Sequence, residues 1–136
     1  MTSINAPLAE NLLDVKNYLN ERDDIAFAYL FGSRARGVPT PFSDVDIAVY
    51  LTEGPFSEKR LEILGDLMDI LRMDNLDLVI LNTVSESLKA RVIRNRVILA
   101  DNLPFIRHIF ESRTLRAYMD FSKIETRILE QRYLHG

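Results

Sequence analysis

The segment Asp44-Val-Asp-Ile-Ala-Val-Tyr-Leu51 limits what this chain can fold into more than any other part of it. Val45, Ile47, Val49 and Leu51 lie on one face and Asp44, Asp46, Ala48 and Tyr50 on the other, the alternation of a strand with one apolar side. Upstream, Ile25 to Phe31 is a short apolar, aromatic-rich run closed by Gly32, which reads as a buried strand. The stretch between them, Gly32 to Ser43, holds two Gly and two Pro and so cannot be regular structure throughout.

The flanking sequence supplies further elements. Leu8, Leu12, Val15 and Leu19 share a helical face from about Pro7 to Leu19, with Asn5 able to cap its start, and Arg22-Asp-Asp breaks the pattern. After Gly54-Pro55, Ser57 can cap a helix with the seam Leu61, Leu64, Met68 and Leu71. Leu76 to Leu81 is the third strand, with Asp77, Val79 and Leu81 on one face. Thr83 with Glu86 forms a capping-box signature for a helix reaching about Arg94, and Val97 to Ala100 is a brief fourth strand. From Pro104 onward the chain is helical, with a break near Ser112. The expectation is an α/β (α+β) fold: a small mixed sheet of about four strands, backed by helices on one side, and a long C-terminal helical region.

At 136 residues, with 47% hydrophobic and 27% charged residues, the chain suits a single domain spanning residues 1–136. With no Cys, disulfides, thiolate metal sites and a Cys nucleophile are excluded, which suits a cytoplasmic protein. The N-terminus has neither the basic start nor the apolar stretch of a secretory signal, and no apolar run approaches a membrane span. A formal net charge of -3 argues against direct nucleic-acid binding.

Chemistry concentrates around the Gly/Pro loop. Asp44 and Asp46, two apart on a strand, project both carboxylates from one face, roughly 6–7 Å apart at the backbone. Such a pair can share one cation or hold two. Mg²⁺ prefers oxygen ligands and takes one or two carboxylates plus substrate phosphates, and two ions can clamp the attacking and leaving oxygens of an in-line displacement. Asp77, an acid inside the apolar run Leu76 to Leu81, is placed as a third carboxylate, and burial there would require a partner. Gly32 lets the backbone approach a ligand, Ser33 offers a hydroxyl and an N–H to phosphate oxygens, and Arg34 and Arg36 are near enough to neutralise a triphosphate tail. Singly, an Asp-x-Asp pair or a Gly-Ser dipeptide is most often a solvated turn. Jointly, at this spacing, they arise by chance in on the order of one chain in several hundred of this length.

Gly32-Ser33, ten residues, Asp44-x-Asp46 and a later strand bearing Asp77 resemble the signature of the DNA-polymerase-beta-like nucleotidyltransferase superfamily. Phe31-Gly-Ser-Arg-Ala-Arg-Gly37 is similar to its minimal nucleotidyltransferase branch. The resemblance runs from about Leu8 to Ala100. It implies a nucleotidyltransferase fold, Asp44, Asp46 and Asp77 as ligands of Mg²⁺ (two ions), Asp77 also as a general base, and Gly32 and Ser33 on the triphosphate of ATP. Small members of that branch act as antitoxins beside HEPN-family ribonuclease toxins, transferring AMP from ATP to a tyrosine of the partner. The resemblance therefore implies an adenylylating antitoxin. The alternatives are nucleotide transfer to a small molecule and a non-catalytic antitoxin that acts by occlusion.

Three other features carry less. Lys89, Arg91, Arg94 and Arg96 read first as a solvated basic face at a helix end, and second as a contact for an acidic partner or for nucleotide phosphate. His108 and His135 stand alone without ligand spacing. The stripe Leu115, Tyr118, Phe121, Ile124 and Ile128 reads as core packing, part of which could equally be a docking face.

Overall fold

The computed structural model describes the backbone of residues 6–32 and 45–135, and the side chains of 11–32 and 45–120. The order is α1 (Ala6–Glu21), β1 (Ile25–Phe31), β2 (Val45–Leu51), α2 (Phe56–Leu71), β3 (Leu76–Ile80), α3 (Glu86–Arg94), β4 (Val97–Asp101) and α4 (Pro104–His135). The strands form one mixed sheet in the order β3-β2-β1-β4. β1 runs antiparallel to both β2 and β4, and β2 runs parallel to β3.

Helices cover both faces of the sheet, not one as the sequence suggested. Val15 and Leu19 of α1 and Ile63, Leu67 and Leu71 of α2 pack on the face bearing Ile47, Val49, Leu76, Leu78 and Ile80. Val92 and Ile93 of α3 and Phe110 of α4 pack on the other, against Phe27, Tyr29, Phe31 and Ala48. The physical reason is β1, whose seven residues are all buried; a strand apolar on both sides has to be covered on both. A register shift between Ile25 and Phe27 turns Ala26 and Phe27 to the same side, which adds bulk to the second core.

Several local details differ from expectation. α2 starts after Pro55 with no side-chain cap, so Ser57 lies inside the helix and caps nothing. Its seam is Ile63, Leu67 and Leu71, with Leu64 and Met68 half-buried beside it, whereas Leu61 is 66% exposed. α3 is capped by Ser85, whose hydroxyl accepts from Leu88 N–H, while the Thr83 hydroxyl donates to Ile80 O. α4 is continuous through Ser112. Leu115 and Tyr118 are exposed, so these two do not belong to the core, and the rest of that stripe lies outside the described side chains. The Asn5 cap also falls outside the described residues.

Side-chain bonds pin the elements together. Asn82 reproduces a ladder pair, donating to Leu51 O and accepting from Leu51 N–H, both at 2.9 Å. Asn102 donates to Leu19 O and Ile25 O, tying α1 to β1. Arg22 grips Asp24 with two hydrogen bonds of 2.9 and 2.8 Å, and Lys59 adds an ion pair at 3.1 Å. These contacts, the hydrogen bond from Arg22 first, hold the Asp24 carboxyl down at about 2.

Candidate active site

The site lies on the second face, where β1 ends and β2 and β3 begin. Phe31 pairs with Asp46 across β1 and β2, and Asp46 pairs with Asp77 across β2 and β3, so the three form a row. Residues in register on parallel neighbours point the same way, which sets the Asp46 and Asp77 side chains next to each other, with backbones about 4.8 Å apart. Asp46 is half-buried. Asp77 is exposed, contrary to the expectation that its apolar neighbours would bury it: β3 is an edge strand, and its second face opens to solvent at that end.

Gly32 closes the row. Its φ is +77°, a conformation that L side chains rarely adopt, and a Cβ built there would collide with Asp46 Oδ2. The missing side chain is what lets the Asp46 carboxylate lie against the backbone at the strand end. Of the remaining sequence candidates, Ser33, Arg36 and Asp44 lie outside the described residues.

The opposite wall is α3. A cleft of about 350 Å³ is lined by Gly32, Asp46 and Asp77 on the sheet side and by Leu88, Arg91, Arg94 and Asn95 on the helix side. Arg91 and Arg94, three apart, share one helix face. Both are exposed, and among the described residues neither makes an ion pair. The cleft therefore faces the carboxylates of Asp46 and Asp77 with the guanidinium groups of Arg91 and Arg94. An anionic ligand that also carries a cation satisfies both walls.

The other members of the basic stretch have different fates. Lys89 pairs with Glu86 at 3.0 Å. Arg96 turns inward, donating to Glu111 Oε2 at 2.7 Å and to Ile93 O at 2.9 Å, so the solvated-face reading fails for it. Glu111 also accepts from the Tyr29 hydroxyl at 2.6 Å and from Arg107, which binds Asp101 with two further bonds. Burial alone would raise the Glu111 carboxyl; bonds from Tyr29 and Arg96 and the two arginine charges outweigh it and hold the carboxyl below its usual range. Tyr29, wholly buried against that carboxylate, is pushed well above an ordinary phenol.

Asp46 and Asp77 are hard oxygen donors side by side, and with Gly32 leaving room for one of them they fit Mg²⁺, which takes few protein carboxylates and completes its shell from substrate oxygens. Among the described residues no group of three such ligands occurs, the third expected acid being Asp44.

This fold and this placement of acids define a nucleotidyltransferase. The chain belongs to the polymerase beta nucleotidyltransferase family, whose model matches residues 14–103. Among solved structures it is similar to a mutant of the toxin–antitoxin MntA–HepT, at a TM-score of 0.69 and 22% identity over 91% of this chain and 97% of that one. It is similar as well to a toxin–antitoxin solved with AMP-PNP (TM-score 0.68, 22% identity, 91% and 97% covered). A third likeness is to the complex of a tri-AMPylated Shewanella oneidensis HEPN toxin with its MNT antitoxin (TM-score 0.67, 22% identity, 92% and 98% covered). No curated protein matches the chain.

Proposed function

We propose that this protein is a Mg²⁺-dependent protein adenylyltransferase and a cytoplasmic antitoxin, transferring AMP from ATP to a tyrosine of a cognate HEPN-type ribonuclease toxin and so neutralising it. The observation that carries the reading is the register pair Asp46 and Asp77 beside the side-chain-free Gly32, faced by Arg91 and Arg94. The structural likeness to the AMP-PNP-bound toxin–antitoxin and to the tri-AMPylated toxin complex supports the nucleotide and the acceptor.

In this reading Asp44, Asp46 and Asp77 would hold Mg²⁺, which would supply Lewis-acid neutralisation of the charge that develops during phosphoryl transfer. Gly32 and Ser33 offer the triphosphate a close backbone approach and hydrogen-bond donors, and Arg36 adds a charge. Arg91 and Arg94 give charge-assisted bonds to phosphate oxygens from the facing wall. The tyrosine oxygen attacks the α-phosphorus in line: the O–P bond forms, the bond to the β-phosphate oxygen breaks, and pyrophosphate leaves. A phenol of pKa near 10 must shed its proton, and Asp77, exposed at the sheet edge, is open to an acceptor arriving from outside the chain.

The exposed apolar residues of α4, including Phe105, Leu115, Tyr118 and Met119, favour a protein partner over a small acceptor. Intact-mass measurement of the partner after incubation with this protein, ATP and Mg²⁺ tests the proposal. A gain of one or more AMP units, absent with Asp46→Asn, is the expected result. No gain while toxicity is still neutralised gives the case to occlusion.

A further inference from the structure

We infer that a second cavity, between β2, α3 and α4, is a binding site for a small organic monoanion with an aromatic body. It holds about 440 Å³, within the range of ligand pockets, and shares no lining residue with the acid cleft. Asp46 and Tyr50 are four residues apart on β2, so the two sites are separated by about 13 Å along the strand. They also lie on different sides of α3: Glu86 and Lys89 face one, Leu88, Arg91 and Arg94 the other.

The floor is aromatic and held firmly. Tyr50 stacks on Phe27 at 5.1 Å and 8° between planes, and Phe110 packs against both rings at 5.3 and 5.6 Å. Such a surface receives a flat apolar body by offset or edge contacts. The polar groups around it are few and convergent. Thr114 is 3% exposed and lines the cavity, and among the described residues its hydroxyl makes no hydrogen bond. A buried hydroxyl without a partner is costly, and a ligand oxygen supplies one. Arg113, next in sequence, is exposed at the rim and makes no ion pair among the described residues. Lys89, at 6.0 Å over the Phe110 ring, is neutralised by Glu86, and Asn82 is already bonded to Leu51. Among the described residues the rim thus carries one uncompensated positive charge. A single carboxylate or sulfonate matches it, whereas a triphosphate would leave most of its charge unanswered.

Titration of the full chain with 1-anilinonaphthalene-8-sulfonate, followed by displacement with phenylacetate, tests this site apart from any transfer activity. Fluorescence is expected to saturate at one probe per chain, phenylacetate to reverse it, and MgATP to leave it unchanged. Arg113→Ala and Thr114→Val, one exposed and one nearly isosteric, are expected to weaken the probe about tenfold each while melting as the parent does. Unsaturable binding, or affinity unmoved in both variants, overturns the assignment. Displacement by MgATP overturns it also, by giving the cavity to the nucleotide. Displacement by a partner protein but not by phenylacetate gives it to a protein interface instead.

Discussion

Replacing Gly32 with alanine separates the backbone's role at the strand end from that of the acids it serves. Two costs follow from the structure. At φ +77° an L residue is disfavoured by about 1–2 kcal/mol. The new methyl also occupies the space of Asp46 Oδ2, so the carboxylate or the strand end has to move. In a protein of this size the first cost lowers the melting temperature by about 3–8 °C. The second acts on chemistry: a displacement of about 1 Å in a reacting constellation costs on the order of 100-fold in rate. Gly65→Ala is the control, because nothing lies within 4 Å of its added Cβ and it sits inside α2. That variant is expected to gain about 0.5–1 kcal/mol with transfer unchanged. Circular dichroism melts and initial rates of AMP transfer, measured on the same preparations, read the two effects. If Gly32→Ala melts and turns over as the parent does, the close approach of Gly32 to Asp46 has no function. If it only melts lower, with no loss of rate beyond the unfolded fraction, the link from Gly32 to chemistry is wrong.

Glu111→Gln should destabilise by about 3 kcal/mol, since it leaves two arginines facing a neutral group in a largely buried network. The Glu111 carboxyl is held down in the folded state, so its contribution is present above the ordinary carboxyl range and lost as pH falls below it; denaturant melts of parent and variant should converge in acid. Asp24→Asn should lose about 1–2 kcal/mol at neutral pH, with the loss shrinking between the ordinary 3.8 and about 2, as urea melts across that window would show. Arg91→Ala and Arg94→Ala should each raise the KM for ATP about tenfold without lowering the melting temperature, the equivalent of one charge-assisted bond; unchanged kinetics would return both residues to solvent.

What the sequence made legible follows from how local each signal is. β1 and β2 were readable to the residue because their apolar runs are bounded by polar or glycine breaks, and the Asp46–Asp77 side of the sheet followed from period-2 alternation in both strands. The seam of α2 was not, because apolar residues at 61, 63, 64, 67, 68, 70 and 71 surround most of the helix, and only packing against α1 and the sheet selects Ile63, Leu67 and Leu71. The cap of α3 is Ser85 and not the Thr83 that the capping-box signature pointed to, because the Thr83 hydroxyl is turned back to Ile80 O. The covering of the sheet on both sides comes from β1, where aromatics alternate with small and aliphatic residues and no position is charged. The exposure of Asp77 needed the strand order, which no local pattern carries.

The cation wall of the cleft was hidden in the same way, within a basic run that looks uniform until the fold divides it. Arg96 is the residue that divides it. By bonding Ile93 O at the end of α3 and Glu111 on α4, it fixes the end of a nine-residue helix that buries only Val92 and Ile93. Glu111 in turn holds Tyr29 of β1 and Arg107, which is bound to Asp101 of β4. Strand, helix end and neighbouring helix are thus joined through one carboxylate. Arg91 and Arg94 sit on the turn just before that anchor, so their position opposite Asp46 and Asp77 depends on it. A helix this short has little intrinsic stability, and its placement comes from tertiary contacts. Through Glu111, which lies outside the lining of that cleft, the helix that carries Arg91 and Arg94 is thus tied to the sheet that carries Asp46 and Asp77.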